Sequence, residues 1–180
     1  MRLIASALAV AATLSFLAAG CGSSQSAEEK WAGSVCSSVA DWQDQIKKST
    51  DNIKSQIQSP SVGMVGTIKG EISSAVDATD KLASDLKANG PPNTEGSNEA
   101  KQQLEAFASQ LQSTATKAKD SLDSLSGSTS LSDLASKLGP LAPELEALST
   151  NAKSTLNSVS ASGSKLKKGF QNASACKQFQ

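Results

Sequence analysis

Histidine and tyrosine are missing from this 180-residue chain, and aromatic residues make up only 3% of it. Without imidazole there is no Ser-His-Asp or Cys-His nucleophilic pair and no histidine-bearing zinc site of the common type. Arginine is nearly as scarce, since Arg2 is the only one. The chain carries no formal net charge, and beyond residue 2 it has no guanidinium fork, so the basic surface needed for nucleic-acid binding is missing. Few aromatics beside abundant Ala, Ser, Leu and Lys favour helix over strand. No motif calls for a cofactor or a metal, and the expectation is a protein without either.

What is present begins with the leader. Arg2, an apolar run from Leu3 to Leu17 and small residues before Cys21 supply the three parts of a secretory signal. The run is too short and too rich in Ala and Ser for a spanning helix, which takes about 20 strongly apolar residues. Residues 1–20 are therefore expected to be cleaved. Leu17-Ala18-Ala19-Gly20-Cys21 resembles the lipobox of bacterial lipoproteins, with Leu17 one place earlier than that pattern's usual Leu and Ala18 in its position. The resemblance implies a lipid on Cys21, and two or more acyl chains suffice for stable anchoring to a membrane. If Cys21 is not acylated, the expectation becomes a secreted protein. Residues 21–27 then form a polar tether, of which the six after Cys21 reach about 20 Å when extended.

Residues 28–180 read as one helical domain. Trp31, Val35, Val39, Trp42, Ile46, Ile53 and Ile57 fall three, four or seven apart and mark a first helix that Pro60 ends. A second stripe runs through Val65, Ile68, Ile72, Val76, Thr79, Leu82 and Leu86 to Asn89-Gly90-Pro91-Pro92, with Gly90 expected as a left-handed cap. Gly63, Gly66 and Gly70 predict an irregular start to this helix, or a notch for close helix contact or a ligand. Leu104, Phe107, Leu111, Ala115, Ala118, Leu122 and Leu125 mark a third helix, opened by Glu95 and Glu99 and broken at residues 127–130. The fourth stripe, Leu131 to Val159, contains Pro140 and Pro143, which predict a short helix, a break, and a longer helix from about Ala142. The fold class is therefore all-α: an up-down-up-down four-helix bundle with a break near Pro140 and Pro143.

Cys36 lies near the start of the first helix and Cys176 just beyond the fourth, ends that such a topology makes neighbours. An exported chain permits a disulfide between them, closing the bundle, and with Cys21 acylated the cysteine count resolves as one anchor and one bridge. Trp31-Ala32-Gly33 matches the three-letter signature of the small helical-hairpin proteins exported by type VII secretion. That family has the Trp and Gly in the turn between two helices. Here they open a helix and no tyrosine exists for the companion motif, so Trp31 reads as a bundle-capping aromatic. Asp41 with Asp44, and Asp77 with Asp80, share helix faces but are flanked by Lys47, Lys48 and Lys81, and they read as solvated surface. Lys165, Lys167 and Lys168 form the one basic cluster. It reads as a cover for a helix end, with anionic lipid headgroups as the other reading.

Taken together, the lipobox, Ser-rich tether, Trp31…Cys36…Trp42 opening, Gly-Pro-Pro break and terminal Cys176 resemble small actinobacterial membrane-anchored lipoproteins. The resemblance implies an envelope location and a helical domain, and supplies no catalytic residue. The function expected is a non-enzymatic cell-envelope lipoprotein, a structural or interaction module meeting an envelope protein or the wall polymer. The alternative is a small-molecule binding or sensing module, using the bundle core or a groove on the second helix lined by Val62, Met64, Val65 and Ile68. In the tethered form, Trp31, the disulfide and the lysine cluster are expected together at the membrane-proximal end.

Overall fold

A computed structural model describes residues 25–59, 63–124 and 141–180. The regular structure among these residues is all helical, with no strand: α1 (Ala27–Gln58), α2 (Met64–Ala88), α3 (Ser97–Ser124), α4 (Leu141–Ala161), α5 (Ser164–Asn172) and a 3-10 helix (Ser174–Phe179). Pro60, Pro140, the break at 127–130 and the short helix expected before Pro140 lie outside the described residues. Among those described there are five α-helices and a 3-10 helix where four helices were expected. The difference lies at the end of the chain, which turns at Ser162-Gly163 and packs back on α1 as α5.

Ser26 starts α1 by accepting a hydrogen bond from the Glu29 backbone N–H at 3.1 Å, and Glu28 and Glu29 place negative charge on the first turn. The expected apolar stripe is buried from Trp31 through Ile46. Beyond it the pattern thins, since Ile57 is 54% exposed.

Cross-helix hydrogen bonds give the register. Trp31 Nε1 donates to the Asn89 carbonyl at 3.0 Å, Trp42 Nε1 to Thr79 Oγ1 at 3.0 Å, and Asn52 Nδ2 to Glu71 Oε1 at 2.8 Å. Rising numbers on α1 meet falling numbers on α2, so the two run antiparallel. Lys87 with Gln112 and Lys119 with Asp80 set the same relation between α2 and α3. Lys117 pairs with Glu144 from α3 to α4, and Gln43 donates to the Ser149 carbonyl from α1 to α4.

Two apolar clusters fill the interior. The larger joins Trp31, Trp42, Leu104, Phe107, Leu156, Phe170 and Phe179, among others, and the smaller joins Met64, Ile68, Ile72, Val76, Ala115 and Ala118. Alanines at many inner positions leave room for close helix approach, while each buries little area at roughly 25 cal/mol per Å².

Several sequence expectations are corrected. Gly90 is not a left-handed cap: the positive-φ glycines among the described residues are Gly63 and Gly96. Helix α2 ends when the Asn89 N–H bonds the Asp85 carbonyl, and the Asn89 carbonyl is taken by Trp31. The start of α2 is continuous helix from Met64, and Gly66 and Gly70 face open space instead of a neighbouring helix. By contrast, the longer helix expected from about Ala142 is present as α4 from Leu141, with Pro143 in its first turn, where a missing N–H costs nothing.

The closest backbone approaches occur at other glycines. A Cβ on Gly96 would stand 1.9 Å from the Ser162 carbonyl oxygen, and one on Gly169 would stand 2.7 Å from that of Glu28. The loop before α3 thus touches the turn before α5 main chain to main chain, and α5 lies directly on the first turn of α1.

Candidate functional site

The disulfide end is the better-tied end. Cys36 and Cys176 are bonded, with Cα atoms 5.1 Å apart across 140 positions of sequence. Beside them the Trp31 indole meets the Phe170 ring edge-on at 5.7 Å between centroids. Trp31 therefore clamps α1 to both α5 and the end of α2, which is the capping role expected of it. Cys21 lies outside the described residues.

Lys165, Lys167 and Lys168 are exposed on α5, whose inner face carries Leu166, Gly169 and Phe170. None of them lies in the last turn of α5. They occupy the start of α5, where the helix dipole favours anions. Their charge is unmatched there by any ion pair among the described residues.

The paired aspartates stand on the outer surface. Asp41 and Asp77 line a shallow cleft between α1 and α2 with Asp85, which Lys81 pairs at 2.6 Å. Asp80 instead pairs Lys119, and this hydrogen bond and charge, with a smaller contribution from Asp77, hold the Lys119 ammonium above its ordinary pKa. No group of three metal-ligating side chains occurs among the described residues. No helix among them is long and apolar enough to cross a membrane.

Of the groove residues named from sequence, Val62 lies outside the described residues, Met64 and Ile68 are buried in the smaller cluster, and Val65 packs against it. The cavity of interest lies alongside, between α1, α2 and α3, with Leu145 of α4 at its wall. Its volume is about 220 Å³. Ile53, Ile57, Ile72 and Val76 make it apolar, and Lys54 stands on its α1 side.

The chain matches no protein-family model, no curated protein and no solved structure. The cavity must therefore be judged on its own chemistry.

Four hydroxyl residues line it: Ser49, Thr50, Thr79 and Thr114. Thr79 is fully engaged, accepting from Trp42 and donating to the Ala75 carbonyl at 2.7 Å. Ser49 differs. It is 1% exposed, and its Oγ has no hydrogen-bond partner. A buried hydroxyl without a partner costs about 1–3 kcal/mol, and a bound water or ligand is one way such a group is completed. Sequence reasoning missed Ser49 because it is one serine among many, and its burial is imposed by helices from elsewhere in the chain.

Proposed function

We infer that the protein is a non-enzymatic, extracytoplasmic lipoprotein, held at a membrane through acylated Cys21. In this reading α1 to α4 form an up-down-up-down four-helix bundle that offers its far end to an envelope protein or to the wall polymer. The observation that carries it is the Cys36–Cys176 bond, because disulfides persist in oxidising compartments, where the leader at residues 1–20 would send the chain. The resemblance to small actinobacterial lipoproteins supports the same address.

The reading gives the molecule a polarity. The tether enters α1 at Ala27, on the side of Trp31, the disulfide and the three exposed lysines of α5. Those lysines would then face anionic headgroups, each such contact adding about 1 kcal/mol near the surface. Helix α1 rises about 45 Å from that end to Ile57, so the exposed isoleucine and the cavity look away from the bilayer.

Labelling with an alkyne fatty acid tests the anchor. The parent chain is expected in the membrane fraction and labelled, while Cys21→Ala is unlabelled and released. An unlabelled parent recovered in the cytoplasm, with free thiols at Cys36 and Cys176, would overturn the reading. A second reading, a small-molecule binding module, is favoured by one specific observation: the partnerless Ser49 hydroxyl in an apolar cavity.

A further inference from the structure

We propose that the cavity between α1, α2 and α3 binds a neutral amphiphile, with a single hydroxyl or carbonyl oxygen on Ser49 Oγ and an apolar body lying along Ile53, Ile57 and Val76. The proposal rests on the small-molecule reading and names its ligand class.

Ser49, Ile53 and Ile57 follow one another at four-residue steps, so they line one face of α1 from its middle toward its end. Ser49 is therefore at the inner end of this face, which turns aliphatic at Ile53 and at Ile57, the residue left 54% exposed, with Lys54 beside them. A ligand lying along this face would put its oxygen inside and its hydrocarbon outward. The volume of about 220 Å³ exceeds the roughly 150 Å³ of an apolar cavity that accepts benzene.

Charge argues for a neutral head. Around the hydroxyls of Ser49, Thr50, Thr79 and Thr114 the lining is otherwise apolar, and its one cation is Lys54. An ionised carboxylate placed there would lose its hydration for hydroxyl contacts alone. Lys54 lines the cavity one turn further out, beside the hydrocarbon wall, and is exposed. A neutral oxygen needs one partner, and Ser49 has one bond to give.

The test titrates the disulfide-bonded chain with 1-hexanol, hexane and hexanoate, reading methyl resonances of Ile53, Ile72 and Val76. Hexanol is expected to bind about 3- to 10-fold more tightly than hexane, the worth of one neutral hydrogen bond, and more tightly than hexanoate. Ser49→Ala should abolish the advantage of hexanol over hexane. Equal binding of hexanol and hexane by the parent would overturn the assigned class and leave the small-molecule reading standing. A preference for hexanoate that disappears in Lys54→Ala would also overturn the class, placing a charged head at the outer end. If none of the three shifts those methyls, or if only a water is found on Ser49 at saturating hexanol, the class and the reading both fall. The comparison among ligands on the parent chain decides the matter even if a variant folds poorly.

Discussion

Trp42 and Thr79 meet across α1 and α2, the indole N–H donating at 3.0 Å to a hydroxyl that itself donates a hydrogen bond to the Ala75 carbonyl at 2.7 Å. Both side chains are buried, at 2% and 1% exposure. Thr79→Val keeps the shape and strands the indole donor, at a cost of about 1–3 kcal/mol. Trp42→Phe in the Thr79→Val background should recover part of it. Urea unfolding of the four members of this cycle checks the prediction, and additive losses would show that the bond carries no coupling.

The unpartnered hydroxyl has the opposite sign. In the ligand-free protein, Ser49→Ala removes a buried polar atom that bonds nothing, so it should raise stability by up to about 1–3 kcal/mol. Thermal unfolding without added amphiphile is the measurement. A lower melting temperature would mean that Ser49 has a partner in solution.

Two glycine substitutions should move in opposite directions. Gly169→Ala forces a Cβ to 2.7 Å from the Glu28 carbonyl, and the overpacking is expected to cost about 1–3 kcal/mol. Gly66→Ala sits in helix α2 with open space around it and should add about 0.5–1 kcal/mol. Denaturant midpoints of the two variants give the comparison.

Breaking the bridge should cost more than any of these. The bond spans 140 positions, and loop-closure entropy puts its contribution near 5 kcal/mol, with typical measured values of about 2–4. Cys36→Ser with Cys176→Ser is expected to shift the urea midpoint accordingly, and mass spectrometry without reductant should find both thiols oxidised in the parent.

Alkaline titration probes Lys119. Asp80 raises its pKa above the ordinary value of 10.5. A raised folded-state pKa means that the contribution is fully present below the ordinary value and disappears as pH climbs through the folded one. Asp80→Asn should lower the Lys119 pKa, read from its side-chain resonances, and flatten the pH dependence of stability above 10.5.

The first helix was legible because Trp31, Val35, Val39 and Trp42 repeat at helical spacing with nothing to interrupt them. The cysteine pair was legible because, if the chain is read as an exported antiparallel bundle, Cys36 and Cys176 fall at neighbouring ends as two thiols free to pair. Helix α5 was not, since Leu166 and Phe170 alone mark its buried face, in a lysine-rich stretch that looks like a fraying terminus. The glycines misled for a related reason. The crowded run at 63, 66 and 70 is conspicuous in the sequence, whereas the tight approaches are at Gly96 and Gly169, where the obstructing carbonyls belong to Ser162 and Glu28. A clash with a distant segment leaves no local trace in sequence, and neither does the burial of Ser49.

The link between Cys36 and Cys176 makes a covalent ring of nearly the whole folded chain. A protease that cuts once between these residues would open the ring without dividing the molecule. Both fragments would remain joined, and with Cys21 acylated both would stay moored to the membrane. Shedding would take a cut in the few residues before Cys36, or a reductant together with a second break.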